Sequence, residues 1–382
     1  MQSSGKRSPL LPDSGLPSPR RGFGISRAMG KASPEFLASS VFTRLGLDSK
    51  RVILGPGIGL DNAVLDAGGD RVLVVTTDPV SVIPSLGLRT SAWLSVHLIA
   101  SDYTTSGLVP EFASFCYNFP PEMTDSQRAS YLGGISSACR EIGVAIVAGN
   151  TGSYPGAGLT VVGGGTMFGF GSRGRYVDPT MSRRGDKVVM TKGAAIEATA
   201  SLAHSFPRFT EKHTTRTIAA KAKRLLWSCS TVKDCRSASE IGLGRGGVTS
   251  MHDATEGGVL GGLAEMAAAS GNQFVIEERR ILVSEEARAV CAAFGIDPLT
   301  SLSEGTLLIT VNPKRTDELA EALQSEGIES AVIGEIGRGR GVRLAGLDRV
   351  TKRFDRNSRP DQYWAAYHSH AKDANKARRK RV

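Results

Sequence analysis

The sequence predicts an α/β (or α+β) protein of two domains. Short apolar runs, such as 72–75 and 307–311, alternate with stretches of helical period along most of the chain. Forty-five glycines punctuate those runs, as many tight connections require. A polar, turn-rich stretch over 171–186 separates two such sets, and 382 residues at roughly 150 per domain also give two.

Residues 1–32 are rich in Ser, Pro, Arg and Gly without periodicity and are expected to be disordered, with Met29 a candidate start. Ser33-Pro34-Glu35 then forms an N-cap, a proline at N1 and an acidic first turn, and Leu37, Val41 and Leu45 continue at helical spacing. Val52-Ile53-Leu54 is followed by the glycine-rich loop 55–63. The strand 72–76 stops at Thr77-Asp78-Pro79, and a helix over 89–101 carries Trp93, Val96, His97 and Ala100 before Ser101-Asp102. His97 shares a face with Trp93 and reads as a packing residue. Asp102 faces the negative end of the helix dipole, which asks for a cation or for a solvated turn.

Phe115, Tyr117 and Phe119 alternate with polar residues as a half-buried strand. Thr124 and Gln127 form a capping box opening a helix with the face Leu132, Ile135, Cys139 and Ile142. A short buried strand is expected over 144–148, closed by Gly149-Asn150-Thr151-Gly152. Another follows over 159–168, where Gly163, Gly164 and Gly165 imply a bulge or close backbone approach. In the second half, strands are expected at 187–191, 274–277, 307–311 and 330–333. Helices are expected near 194–205, 215–227, 258–269, 284–294 and 314–325. The domains are therefore read as a 1–32 extension, 33–172, 184–345 and a basic tail over 346–382.

The net charge of +10 belongs to the ends. Residues 1–33 carry +5 and 351–382 carry +7, which leaves −2 for 34–350. A mildly acidic body argues against a nucleic-acid-binding core, while the basic tails keep nucleic acid or an acidic partner open beside simple solvation. No apolar run approaches the roughly 20 residues of a membrane span, and there is no apolar signal region, so a cytoplasmic protein is expected. Five scattered cysteines without a C-x-x-C pair fit reduced thiols rather than zinc or disulfides.

Four loops of the first half, Gly59-Leu60-Asp61-Asn62-Ala63, Thr77-Asp78, Ser101-Asp102 with Gly107-Leu108-Val109-Pro110, and Gly149-Asn150-Thr151, resemble in order the motifs G-D-D-A-A, T-T-D, N/S-D-…-G-A-x-P and G-G-D-T. In the second half, Met251-His252-Asp253-Ala254-Thr255-Glu256-Gly257-Gly258-Val259 resembles M-R-D-P-T-R-G-G-V, and Ser303-Glu304-Gly305-Thr306-Leu307 resembles N-E-G-K-L. These are motifs of the AIR-synthase-related (PurM-like) superfamily of ATP-using enzymes. The nearest wording is that of the hydrogenase maturation factor HypE, and the resemblance covers roughly 34–345.

The resemblance implies a two-domain fold, with an N-terminal mixed-sheet domain forming a dimer barrel and a C-terminal α/β sandwich, in a homodimer that uses ATP and Mg²⁺. It implies Asp61, Asp78 and Asp102 as magnesium ligands. Gly57, Gly59, Asp61, Asn150, Thr151, Asp253 and Glu304 would lie around the nucleotide. Mg²⁺ takes one or two carboxylates and keeps several waters, so aspartates on separate loops can hold ions around a triphosphate. From the residues alone, the glycine loop also reads as a tight turn, Asp253 as a helix N-cap and Glu304-Gly305 as a pre-strand turn. The implied activity is ATP-dependent activation of a substrate oxygen. A small-molecule kinase resembling thiamine-monophosphate kinase and a non-catalytic nucleotide-binding scaffold are the alternatives.

Departures from the motifs limit the transfer. Leu60 and Asn150 stand where the motifs have aspartates. HypE proteins carry a reactive cysteine in a P-R-x-C ending, whereas the last cysteine here is Cys291, so carbamoyl-thiol dehydration is not carried over. The catalytic cysteine or selenocysteine of selenophosphate synthetase, in an N-terminal glycine-rich loop, has no match either.

Overall fold

The apolar runs of the first half become strands of one sheet, whose central strands two helices cover from one side. The computed structural model describes residues 30–157, 160–345, 351–354 and 361–379. A short helix, α1 (Pro34–Phe36), is capped by the Ser33 hydroxyl and widens into a π turn, Leu37–Val41. Then come β1 (Val52–Leu54), β2 (Ala63–Gly68), β3 (Arg71–Ser81), α2 (Leu88–Thr104), β4 (Phe112–Phe119), α3 (Asp125–Glu141), β5 (Ala145–Ser153) and β6 (Val161–Ser172). The sheet order is β1-β2-β3-β6-β4-β5. Neighbours are antiparallel except β4 and β5, which the α3 crossover makes parallel.

The alternation along β3 buries Val72, Val74, Thr76 and Val80 and puts Asp78 on that same face, toward α2. Phe115, Tyr117 and Phe119 of β4 alternate as expected and meet Val96, Ile99 and Tyr103 of α2 and Tyr131 and Ile135 of α3. The Thr124–Gln127 capping box forms. The glycines of β6 mark close approach: a side chain at Gly165 would strike Ile99 and Phe115 at 2.6 Å, and one at Gly163 would overlap the Cys116 carbonyl. His97 is buried and stacks on Trp93 with ring centroids 4.1 Å apart, the packing role expected of it.

One expectation is corrected here. The strand expected to be buried over 144–148 runs over Ala145–Ser153, at the sheet edge, and is exposed almost throughout. Ile146 is 46% and Val147 52% exposed. Its apolar run reflects an uncovered face.

The second half is a seven-stranded sheet between two helical layers. In chain order it has β7 (Lys187–Thr191), α4 (Ile196–Ser205), α5 (Pro207–His213), α6 (Arg216–Arg224), α7 (Val232–Glu240), β8 (Val248–Ala254), α8 (Gly258–Ser270), β9 (Gln273–Glu277), α9 (Glu285–Phe294), β10 (Thr306–Val311), α10 (Thr316–Ser325), β11 (Ser330–Gly337), β12 (Gly341–Ala345), β13 (Thr351–Phe354) and α11 (Gln362–Arg379). The order is β13-β12-β9-β11-β7-β10-β8. Val259, Leu263 and Met266 of α8 cover one face, while Cys235 and Ala238 of α7 and Leu319 and Leu323 of α10 cover the other.

The carboxyl-terminal stretch read as a tail holds α11, whose Tyr363 and Ala366 pack on α4 and α9; the Tyr363 hydroxyl lies 2.7 Å from Ser201 Oγ. The disorder expected over 1–32 lies outside the described residues up to 29, but residues 30–32 are described and Lys31 hydrogen-bonds to Thr255 and Glu256, against that expectation. Among the described residues no helix is long and apolar enough to cross a membrane.

Candidate active site

The loop between β1 and β2 is pinned to the end of α2. Asn62 Nδ2 donates to the Asp102 carbonyl at 2.7 Å and to Thr105 Oγ1 at 2.9 Å, and Thr76 Oγ1 donates to the Asp61 carbonyl at 2.8 Å. Asp61 is thereby held near Asp102, in the last turn of α2, and near Asp78 of β3. The second domain closes over this group. β8 brings His252 and Asp253, and the turn before β10 brings Glu304. His252 spans the junction: Nδ1 lies 2.6 Å from Asp61 Oδ2 and Nε2 lies 3.0 Å from Glu265 Oε2 on α8.

Five expected site residues, Asp61, Asp78, Asp102, Asp253 and Glu304, therefore meet at the domain junction, and their charges feel one another. Burial first, then Asp253, Asp78, Asp61 and Glu304, push the Asp102 pKa well above the usual carboxylate range. Burial and Asp61 raise Asp253 to about 7, and burial with Asp61 and Glu256 raises Asp78 to about 6 against the pull of Lys31. Glu304 is pushed well up by burial, Asp253, Glu197 and Asp78. Burial opposes a charge on His252, but Asp61 and Glu265 together outweigh it and hold the ring at about 10.

Lys31 supplies another cation. Although much of the residue is exposed, its ammonium donates to the buried Thr255 Oγ1 at 2.6 Å and its backbone N–H donates to Glu256 Oε2 at 2.6 Å. Burial works against its charge, but Glu265, Asp102, Asp61 and Glu304 more than offset this. Glu197 of α4 is also buried, with one carboxylate oxygen unpartnered, and burial and Glu256 raise its pKa to about 8.

This donor set fits divalent cations. Both oxygens of the fully buried Asp253 and one of Glu304 lack a hydrogen-bond donor, and an uncompensated buried carboxylate is costly. Asp253 has Asp102 within hydrogen-bonding reach, yet two carboxyls can only share a proton and supply no positive charge. Ligand atoms of Asp61, His252 and Asp253 lie within 4.8 Å of one another, the one such group among the described residues. Asp78 and Asp102 stand around this group rather than in it.

The remaining expectations sort differently. Asp253 lies inside β8, and α8 is led by Gly257 in a left-handed conformation, so the N-cap reading of Asp253 is overturned. Gly59, at φ +74°, is required by α8, since a side chain there would lie 2.6 Å from the Glu265 carbonyl; Gly57 rests on Leu60. Asn150 projects elsewhere, into a separate cavity of about 430 Å³ lined by Thr77, Cys116, Thr166 and neighbours, with none of the five carboxylates in its wall. Thr151 is exposed beside it on β5. His252, Glu265, Glu197 and Lys31 had no role in the sequence reading. His252 alone carried a signal, as a basic residue beside Asp253 in a quoted motif.

Comparison with known proteins identifies the two domains of this fold. The AIR synthase related protein N-terminal domain matches residues 59–170, and its C-terminal domain matches 183–346. Carbamoyl dehydratase HypE of Rhizobium leguminosarum bv. viciae is 26% identical over 298 residues, spanning 73% of this chain and 77% of the relative. The crystal structure of Escherichia coli HypE superposes with a TM-score of 0.64 at 25% identity, covering 75% of this chain and 86% of that one. A structure of HypE in complex with ATP gives 0.62 at 20% identity over 87% and 97%.

Proposed function

Because the chain belongs to the AIR synthase related family, we propose that it is an ATP-dependent, Mg²⁺-requiring enzyme, HypE-like in sequence, that activates an oxygen of its substrate by phosphoryl transfer. The observation that supports this most is the meeting of Asp61, Asp78 and Asp102 from one domain with Asp253 and Glu304 from the other. So many buried carboxylates stand together in their charged form only with cations between them. Asp61, Asp78 and Asp102 would hold Mg²⁺, which neutralises a triphosphate and the charge that develops on the transferred group, with Asp253 and Glu304 beside the nucleotide.

The chain's own residues position these groups. Asn62 and Thr76 fix the Asp61 loop, and His252 fixes Asp61 from the opposite domain. Both domains must therefore be closed for the site to exist, which keeps bulk water from the transferred phosphoryl group. The attacking oxygen belongs to the substrate. Cys229, which senses Glu197 and Glu304, is buried and has its pKa pushed well up, so it is a poor nucleophile. The exposed apolar residues Ile146, Val147, Val161 and Phe170 of β5 and β6 support a homodimer through the strands of the first domain.

The test is ATP consumption with acceptors that carry an amide, carbamoyl or phosphate oxygen. Acceptor-dependent release of phosphate supports the reading. Phosphate retained on the acceptor would make the protein a kinase, and nucleotide binding without turnover would make it a scaffold.

A further inference from the structure

We propose that His252 is itself a metal ligand, so that Asp61, His252 and Asp253 form a centre for a divalent first-row transition ion such as Mn²⁺ or Fe²⁺. The inference rests on reading the carboxylate cluster as a cation site, and it goes further by naming the ion class.

The distances permit it. Two ligands of one ion, each about 2.1 Å from it, lie at most about 4.2 Å apart. The three ligand atoms already lie within 4.8 Å of one another, with Nδ1 and Asp61 Oδ2 2.6 Å apart, so side-chain adjustments bring them around one ion. The imidazole is also held in the orientation of a metal-bound histidine. Nε2 lies 3.0 Å from Glu265 Oε2 and donates its N–H there, which leaves Nδ1 facing Asp61 at 2.6 Å, in the group that Asp253 completes. A carboxylate on the distal ring nitrogen is the usual support of a ligating histidine.

The competing account is a plain ion pair between a protonated His252 and its two carboxylates. That account satisfies Asp61 and Glu265. It leaves Asp253, 0% exposed, with no donor within hydrogen-bonding reach except the neighbouring carboxyl of Asp102, which brings no positive charge. An ion shared by Asp61, His252 and Asp253 accounts for all of them. The Nδ1 proton leaves to solvent as the ion enters, while Nε2 keeps its own for Glu265. Mg²⁺ prefers oxygen ligands throughout, whereas imidazole suits the transition ions, so His252 shifts the preference of the centre away from Mg²⁺. Three protein ligands leave coordination positions for water or a phosphate oxygen.

The probe is Mn²⁺ on the full-length, nucleotide-free protein, followed by pulsed electron paramagnetic resonance. The expected spectrum shows ¹⁴N modulation from a coordinated ring, converted to the ¹⁵N pattern when histidine is ¹⁵N-labelled. His252→Gln should lose that modulation, and Glu265→Gln should weaken Mn²⁺ binding about tenfold or more. Bound Mn²⁺ without nitrogen modulation in the unmodified protein overturns the proposal, as does modulation unchanged in His252→Gln or no binding of Mn²⁺ at all. Labelling needs no variant, so a folding defect in His252→Gln leaves the test intact. A Mg-ATP response without nitrogen modulation would sink this inference and leave the proposed function standing. Nitrogen modulation without nucleotide binding would do the reverse.

Discussion

His252 and Asp61 tie the two domains together: Nδ1 of the ring, on β8, lies 2.6 Å from Asp61 Oδ2 in the loop that Asn62 clamps to α2. The pair is buried, with the ring side chain 1% exposed. Removing one partner of a buried, hydrogen-bonded charge pair costs roughly 3 kcal/mol or more. His252→Ala should therefore lower unfolding free energy by about 3 kcal/mol in urea denaturation without metal. A loss under about 1 kcal/mol would mean that the junction is held by other contacts.

Asp102 behaves in the opposite way. Burial raises its pKa first, and the charges of Asp253, Asp78, Asp61 and Glu304 raise it further. A carboxyl whose folded pKa lies above its unfolded value destabilises the fold once pH exceeds the unfolded value, and the penalty is complete above the folded one. Asp102→Asn should accordingly raise stability at pH 8 without divalent ions, by about 1 kcal/mol or more. Chemical denaturation with chelator present measures it, and a destabilised variant would contradict the electrostatic picture.

Gly59 takes φ +74° against the Glu265 carbonyl, 2.6 Å from where a Cβ would stand. Gly59→Ala should cost about 2 kcal/mol from the left-handed backbone and the clash together. It should also weaken nucleotide binding, because Asp61 follows two residues later. An unperturbed melting temperature would show that the loop relaxes freely.

His97 sets an acid limit. Burial lowers its pKa to about 4, and the exposed Glu141, 3.7 Å away, does not hold a proton there. The unfolded value is about 6.5, so its contribution is complete above pH 6.5 and is lost as pH falls toward 4, by about 3 kcal/mol. Replacing it with a residue that does not titrate, as in His97→Gln, should flatten the stability profile over that window. An unchanged profile would assign the acid loss elsewhere.

Much of this was legible in the sequence, and what was missed has physical causes. Asp61, Asp78, Asp102 and Glu304 stand at the ends of recognisable apolar or helical runs, where a local pattern points at them. Asp253 was harder because β8 is buried at every position and shows no two-residue alternation, so the residue looked like the start of the next helix. The apolar run 144–148 was taken for interior because hydropathy does not distinguish a core strand from an uncovered edge. Lys31 and Glu265 meet the site only through tertiary closure, which no local spacing encodes.

That edge predicts assembly. Ile146 and Val147 are about half exposed on β5, and Val161 and Phe170 of β6 are exposed as well. If the strands of two copies cover one another, Ile146→Asp with Val147→Lys should turn a dimer into a monomer in size-exclusion chromatography with light scattering. A monomeric unmodified protein would contradict the proposed assembly.

The central claim is that Asp61, Asp78 and Asp102 hold metal ions for a nucleotide, and thermal unfolding with ATP tests it most directly. At 100 times its dissociation constant a ligand stabilises by about 2.7 kcal/mol, a readily measured shift. The unmodified protein should shift with ATP and Mg²⁺ together and not with ATP alone, and Asp78→Asn and Asp102→Asn should both lose the response. No shift in the unmodified protein, or an equal shift in both variants, would contradict the account.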